Sequence, residues 1–179
     1  MTPLRLLAPA LLCLAATPAW AEVCIDRSGG QYTNSKLCVS SVLKPQGANK
    51  YGPENLAGEA AAAWCEGAPG SGKGEYMRFL FSDTVAFRTV LIGNGYGKSK
   101  TAFFNNARAR TVRIETSDGL RFAAELKDND DLQKIRLPRV VKTKTLRVEI
   151  VDVYGGDKHK DLCMHYVAPD FEGMDAENQ

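Results

Sequence analysis

The sequence predicts an all-β protein, a β-sandwich or jelly roll of about eight strands. Short runs of alternating apolar and polar residues recur along the chain, and turn residues separate them. Within residues 110–116, Val112 and Ile114 point to one face while Arg113 and Glu115 point to the other. A period of two with one apolar face indicates strands that pack on a core.

The predicted strands follow one another through most of the chain. They cover residues 76–81, 85–92, 110–116, 120–126, 132–137, 145–154 and 162–168, with a further strand-like run at 39–43. Ser117-Asp118-Gly119 predicts a hairpin turn between two of them. The one helical candidate is 59–64, where a run of alanines favours one or two turns.

The first 21 residues have the pattern of an export signal. Arg5 precedes an almost wholly apolar stretch at residues 6–16, and Ala19-Trp20-Ala21 fits the small-x-small cleavage rule. The stretch is too short to span a bilayer. We therefore expect cleavage after Ala21, a periplasmic or secreted protein, and no membrane insertion afterwards. Removing 21 of the 179 residues leaves 158, which suits one domain.

Composition then suggests the remaining boundaries and excludes some partners. Residues 22–50 form a polar N-terminal appendage, 51–168 the β-sandwich, and 169–179 an acidic tail that we expect to be disordered. The formal net charge is +2, and it falls to +1 when Arg5 leaves with the leader. This near-neutral balance gives no electrostatic reason to expect nucleic acid as a partner.

Four cysteines remain after cleavage: Cys24, Cys38, Cys65 and Cys163. In an exported chain they predict disulfides, with three connectivities available. We favour Cys24–Cys38, which would staple a loop poor in apolar residues, and Cys65–Cys163, which would tie the early part of the domain to its last strand. Their spacing lacks the short pairs of a zinc site. We expect no metal and no cofactor.

The glycine-rich loop at residues 93–99 is the strongest candidate for a binding site. It presents the amide of Asn94, the phenol ring of Tyr96 and the ammonium of Lys98 directly after a predicted strand. Small ligand sites combine such groups on a rigid scaffold. The alternative is a structural turn held by Asn94, with Lys98 simply solvated.

Several short motifs keep a fixed order along the chain. They are Tyr51-Gly52-Pro53-Glu54-Asn55-Leu56, Ala63-Trp64-Cys65-Glu66-Gly67, Gly72-Lys73-Gly74-Glu75, Asn94-Gly95-Tyr96-Gly97-Lys98-Ser99, Leu126-Lys127-Asp128 and Val153-Tyr154-Gly155-Gly156 with Asp161. In order and spacing they resemble the NADase-type glycan-binding domain. That domain is a discoidin-like, galactose-binding-like jelly roll, found also as the translocation module of a streptococcal NAD glycohydrolase. The resemblance implies a non-catalytic sandwich that binds a glycan or glycoconjugate through loops at one end.

Further candidate ligand-binding residues lie in or beside these motifs. Trp64 could stack on a sugar, although a tryptophan beside a cystine is more often part of the core. Glu66, Asn105 and Arg108 could contact hydroxyls, although asparagine at a strand entrance is commonly a turn former. These residues join Asn94, Tyr96 and Lys98 as the predicted site.

One departure from the family pattern and two further motifs keep other functions open. Residues 57–63 lack the aspartates and threonine that many discoidin-like domains carry, which leaves too few oxygen ligands for calcium there. This loss favours a cell-envelope protein-interaction or structural module without sugar binding. Asp128-Asn129-Asp130-Asp131 could hold calcium, or be a solvated turn. His159 beside Asp157 and Asp161 could be a general base, but no nucleophile motif accompanies it, so we predict no enzyme.

Overall fold

The computed structural model describes residues 21–28, 32–57 and 61–173, which fold into eight strands and little helix. The strands are β1 (Val23–Arg27), β2 (Ser35–Val39), β3 (Trp64–Cys65), β4 (Tyr76–Asn94), β5 (Arg108–Thr116), β6 (Arg121–Glu125), β7 (Leu132–Tyr154) and β8 (Cys163–Pro169). A 3-10 turn covers Pro53–Asn55, and the helix α1 covers Lys100–Asn105. All strand pairs are antiparallel. The prediction of an all-β fold is confirmed.

Two long strands organise the sandwich. β4 has 19 residues and β7 has 23, because each joins two runs that the sequence predicts as separate strands. Their mutual register shifts between Leu80 and Val85 and again between Phe87 and Thr89, and such irregularities bend strands. The first half of β4 therefore pairs with β2 and the second half with β8, which places the two halves in different layers.

The layers enclose one continuous apolar core. β1, β2, the first half of β4, the second half of β7, β5 and β6 form one layer, and β3, β8 and the remaining halves form the other. Buried side chains from both layers meet between them, among them Leu37, Trp64, Phe87, Ile114, Leu146 and Val167. Burial alternates along the strands as the sequence pattern predicts.

The segment predicted as an appendage contributes two strands to the main sheet. β2 is hydrogen-bonded to β4, and β1 is the edge strand beyond β2. The predicted strand at 39–43 overlaps β2 only at Val39. The reason is that β2 gains its stability from pairing with β4, while its own sequence, Ser35-Lys36-Leu37-Cys38-Val39, is only weakly patterned.

The helix predicted at 59–64 is not found over residues 61–64, the part of that range that the structure describes. Residues 58–60 lie outside the described part, and Trp64 begins β3, where it pairs with Met164. Tertiary pairing here overrides the helix propensity of the alanines. The observed helix, α1, is short, about a turn and a half. Ser99 caps its start, since the Ser99 hydroxyl accepts a hydrogen bond from the Ala102 N–H at 3.1 Å.

The ends of the chain are described only in part. The predicted leader lies outside the described residues except for its last position, as do tail residues 174–179. The beginning of the predicted acidic tail is not disordered, since Pro169 belongs to β8 and Phe171 packs against the core, 6.3 Å from the Phe87 ring centroid. Among the described residues, no helix has the length and apolarity needed to cross a bilayer.

Two cross-strand disulfides close the fold. Cys24 is bonded to Cys38 and Cys65 to Cys163, the connectivity favoured from the sequence. Each bond joins residues that face each other in an antiparallel pair, with Cα–Cα distances of 4.0 and 4.1 Å. The first closes a loop of 14 residues in the terminal hairpin, whereas the second spans 98 residues of the sandwich.

Glu66 is buried directly after the second disulfide. Its two carboxylate oxygens accept backbone N–H groups, from Leu162 at 3.3 Å and from Ala68 at 2.8 Å. The side chain is fully shielded from solvent. Burial raises the pKa of Glu66 to about 7, since the two hydrogen bonds only partly offset the cost of desolvating the charge. Glu66 is therefore a structural carboxyl group, a correction to its prediction as a ligand contact.

We predict that the two disulfides contribute unequally to stability. Replacing Cys65 and Cys163 together with alanine should lower the free energy of unfolding by about 2–5 kcal/mol. The corresponding change at Cys24 and Cys38 should cost about 1.5 kcal/mol less, because the closed loop is much shorter. Urea unfolding of the two double variants measures both values. An equal or larger loss at Cys24 and Cys38 would contradict the loop-length explanation.

We also predict that Glu66 makes stability depend on pH. Since the folded pKa lies above the ordinary value of 4.5, the folded state binds more protons than the unfolded state between those values. Stability should therefore fall as pH rises from about 4.5 to about 7, by up to about 3 kcal/mol. Glu66→Gln should flatten this change in urea unfolding at pH 5 and pH 8, whereas Glu54→Gln, at an exposed position, should preserve it.

Candidate functional site

A pocket of about 190 Å³ opens at one end of the sandwich, and we call it the tyrosine pocket. Its wall is formed by residues that follow β2, by Tyr96 after β4, by α1 and by the connection from β7 to β8. The polar and aromatic groups in it are Gln46, Tyr51, Tyr96, Asn105, Asn106, His159 and Asp161. The pocket thus gathers loops that are far apart in the sequence.

Two tyrosine rings define the apolar side of the pocket. Tyr51 is almost fully buried and Tyr96 is half-buried, and their rings meet edge to face with centroids 6.4 Å apart. Gly95 has φ of 73°, and a Cβ there would collide with the Phe103 ring, so this turn needs glycine. Burial raises the pKa of the Tyr51 phenol, with a smaller effect from Tyr96. Tyr51 therefore stays a hydroxyl donor at neutral pH.

The opposite side of the pocket is polar and is held by backbone hydrogen bonds. The Asn105 carbonyl accepts the N–H groups of Lys158, at 3.2 Å, and His159, at 2.7 Å. The Asn106 side chain donates to the Ala102 carbonyl at 2.8 Å. These bonds fasten the His159 loop to α1, so amide, imidazole and carboxylate groups share one fixed wall.

Asn94 does not belong to the pocket, which corrects the prediction that its amide contacts a ligand. Its side chain is fully buried and makes two hydrogen bonds to one residue of β5. The Nδ2 group donates to the Ala109 carbonyl at 2.7 Å, and Oδ1 accepts the Ala109 N–H at 3.0 Å. Asn94 thereby joins the end of β4 to β5, and its complete burial keeps the amide away from a ligand at the surface.

Trp64 is likewise structural, the alternative already weighed for it. The indole is fully buried in the core, and its Nε1–H donates to the Ser41 carbonyl at 2.8 Å. It therefore cannot stack on a sugar at the surface. Its hydrogen bond instead anchors the segment that follows β2 to the second layer.

Arg108 is buried and joins several loops, which corrects the prediction that it contacts a ligand. Its guanidinium binds both carboxylate oxygens of Asp128, at 2.7 and 2.9 Å. Nη1 also donates to the carbonyls of Asn106, at 2.8 Å, and Gly155, at 3.2 Å. The Phe103 ring covers the cation, with 5.1 Å between the ring centroid and Cζ. Arg108 thus holds the pocket wall in place, and both carboxylate oxygens of Asp128 accept hydrogen bonds from its guanidinium.

The remaining predicted residues divide between the pocket and solvent. Tyr96 and Asn105 line the pocket, whereas Lys98 is exposed and is not part of its wall. The sequence analysis did not assign ligand contacts to Tyr51, His159 or Asp161. Tyr51 and Asp161 belong to the motifs on which the family resemblance rests. Their place in those motifs was the sequence feature that could have identified them as site residues.

Solved structures with the same fold are carbohydrate-binding modules and larger enzymes. A Clostridium perfringens family 32 module in complex with GalNAc-β-1,3-galactose has a TM-score of 0.57 and 10% identity, covering 74% of this chain and 92% of that one. The family 32 module of C. perfringens NanJ, in complex with galactose, has a TM-score of 0.51 and 10% identity, with coverage of 74% and 90%. At such identity the likeness shows the discoidin-like jelly-roll fold alone.

A Ruminococcus gnavus GH29 fucosidase in complex with fucose has a TM-score of 0.53 and 15% identity. The match covers 75% of this chain and spans only about a quarter, 25%, of the fucosidase. Among curated proteins, none matches this sequence.

The family comparison covers nearly all of the sandwich. The family model described as the NAD glycohydrolase translocation F5/8 type C domain matches residues 29–169. This range takes in β2 to β8, both cysteines of the second disulfide and every residue of the tyrosine pocket. The chain belongs to the NAD glycohydrolase translocation F5/8 type C domain family.

Proposed function

We propose that this protein is an exported, non-catalytic glycan-binding module whose ligand occupies the tyrosine pocket. The observation that carries the proposal is the pairing of two tyrosine rings with amide, imidazole and carboxylate groups in one small pocket. A sugar ring has apolar C–H faces and hydroxyl edges, so it needs both a flat π surface and hydrogen-bonding partners. Modules of the same fold in complex with galactose or with GalNAc-β-1,3-galactose support this proposal.

The size of the pocket favours one sugar ring. Its volume of about 190 Å³ is below the roughly 300–1,000 Å³ of pockets for drug-sized ligands. The ring stacks on Tyr96, the less buried member of the pair, while Asn105 and Asp161 take its hydroxyls. We expect a Kd between about 1 mM and 1 μM, or about −4 to −8 kcal/mol. Binding of that strength gains avidity when several modules engage one glycan surface.

Export and the absence of catalysis rest on separate observations. Two disulfides suit an oxidising compartment, and the leader pattern precedes them. Among the described residues, the tyrosine pocket has no serine or threonine, and its Cys65 is bonded to Cys163. In this reading His159 is a hydrogen-bonding residue for a hydroxyl, not a general base beside a nucleophile.

A cell-envelope protein-interaction module is the second candidate. The observation that favours it concerns three side chains that were predicted to bind a ligand. Asn94, Glu66 and Arg108 instead form hydrogen bonds to the protein's own backbone or to Asp128. A module of this kind would bind a protein partner stably and would not respond to sugars.

Tyr96→Ala should weaken glycan binding about tenfold and leave the fold intact, because loss of one stacking ring costs about 1 kcal/mol or more. The measurement is glycan-array binding of oxidised residues 22–179, followed by titration of the best glycan. Asn105→Ala should weaken it about threefold to tenfold through loss of a hydrogen bond.

Tyr32→Ala is the matched control, since Tyr32 is an accessible tyrosine that lies outside the tyrosine pocket. Its affinity should stay at the wild-type value. Binding that survives Tyr96→Ala would move the site elsewhere on the sandwich. A folded wild-type protein that binds no glycan, but retains a protein partner in a pull-down, would favour the second candidate.

A further inference from the structure

Positive charge is concentrated on one edge of the second layer. Residues 84–93 of β4 and 132–145 of β7 contain no Asp or Glu, although the whole chain has 21 acidic residues against 23 Lys and Arg. We define the basic edge as the five cationic residues Arg88, Lys134, Arg136, Lys142 and Lys144. The near-neutral net charge of the chain therefore hides a local excess.

Strand geometry places these cations in a row. Leu137, Val141 and Thr143 of β7 are buried, so the even-numbered residues of this segment face outward. Lys134 stands opposite Leu91, and Lys142 stands opposite Ala86. Lys134 and Lys144 are ten residues apart, at most about 34 Å along an extended strand, and the register shift between Phe87 and Thr89 shortens that distance.

The row runs along an open strand edge. Residues 132–141 of β7 pair with β4 on one side and with no described strand on the other, because the β5 pairing begins at Leu146. Further along, the N–H groups of Lys142 and Lys144 donate to the side chains of Asp118 and Ser117. The open part thus offers backbone donors and acceptors beside the cations.

Three of the five cations have no ion-pair partner within the part of the chain that the structure describes, whereas Arg136 has an interaction of its own. Among the described residues, Arg88, Lys142 and Lys144 form no ion pair, and Arg88 Nε has no hydrogen-bond partner. Lys134 lies 3.9 Å from an Asp170 oxygen but is 73% exposed. Arg139 between them is different, since it binds Asp118 at 2.6 Å.

The other half of β7 shows the contrasting arrangement. On its outer face Arg147 pairs with Glu115 at 3.3 Å and also with Glu149, and Arg113 bridges the same two glutamates. Lysines and a proline on an edge strand discourage aggregation, and Pro138 with Lys134 fits that role. Protection against edge-to-edge aggregation explains individual charges on this strand. It does not explain why the cations in one half of β7 are paired with glutamates while most of those in the other half are not.

We propose that the basic edge binds an acidic polysaccharide, independently of the tyrosine pocket. A linear polymer laid along the strand would place carboxylates on the cations and hydroxyls on the open backbone groups. The only aromatic side chain in the two segments, Phe87, is buried, so the edge lacks the stacking surfaces that single-stranded nucleic acid uses. Its exposed apolar residues, Leu132 and Val140, are separate and form no face for a lipid surface.

The test measures binding to polygalacturonate at about 50 and 200 mM salt, where ionic contacts weaken strongly, with neutral dextran as the uncharged probe. The variant replaces Lys134, Lys142 and Lys144 with glutamine. We expect it to lose affinity about tenfold or more and to show a shallower salt dependence. The matched control replaces Lys36, Lys44 and Lys50, which are also exposed, and should bind like wild type.

Each outcome decides the proposal. Retained polygalacturonate binding by Tyr96→Ala supports a site separate from the tyrosine pocket, whatever the glycan array shows. Equal losses in the two triple variants would overturn it in favour of general charge attraction. No wild-type binding at low salt would also overturn it. Binding to phosphatidylglycerol vesicles without binding to polygalacturonate would replace the polysaccharide with a lipid surface.

Discussion

The pairing of β4 with β7 is the constraint on which the rest of the structure depends. These two strands run through both layers, and every other strand except β1, β3 and β6 is hydrogen-bonded directly to one of them. The register shifts near Phe87 decide where the ribbon bends and so how the two apolar faces close on each other. The tyrosine pocket and the basic edge inherit their positions from this bend, because one follows the end of β4 and the other follows the start of β7.

Buried polar side chains hold the loops around the tyrosine pocket in place. Asn94 joins two strands, Arg108 gathers three loop segments on a buried cation, and Glu66 accepts two backbone donors beside the second disulfide. Buried polar groups cost free energy unless they are paired, so each of these is placed where a loop would otherwise leave backbone groups unsatisfied. Few polar groups line the tyrosine pocket, and the buried residues Asn94, Arg108 and Glu66 hold the loops that carry them.

The fold could be predicted from the sequence because period-two patterning is a local signal. β5 and β6 follow the pattern closely, as does the hairpin turn at Ser117. The continuity of β4 and β7 could not be foreseen, since a bulge interrupts the pattern as a loop does. The site was harder for a related reason. A motif shows that Asn94 and Arg108 are special, but only the packing shows that they face inward, whereas Tyr51 and His159 reach the pocket through contacts distant in the sequence.

The contact between Gly67 and the segment after β2 has a consequence for how this module can be reused. A side chain at Gly67 would collide with the Val42 carbonyl, and the Gly67 N–H donates to Ser41 Oγ at 2.9 Å. The Leu43 N–H in turn donates to the Cys65 carbonyl at 2.8 Å. Because these backbones are in such close contact, no separable boundary lies between the N-terminal strands and the rest of the sandwich. A fusion or transplant that starts at residue 51 would leave the Trp64 indole N–H without its Ser41 partner and β4 with an unpaired edge, so the smallest portable unit should begin before Cys24.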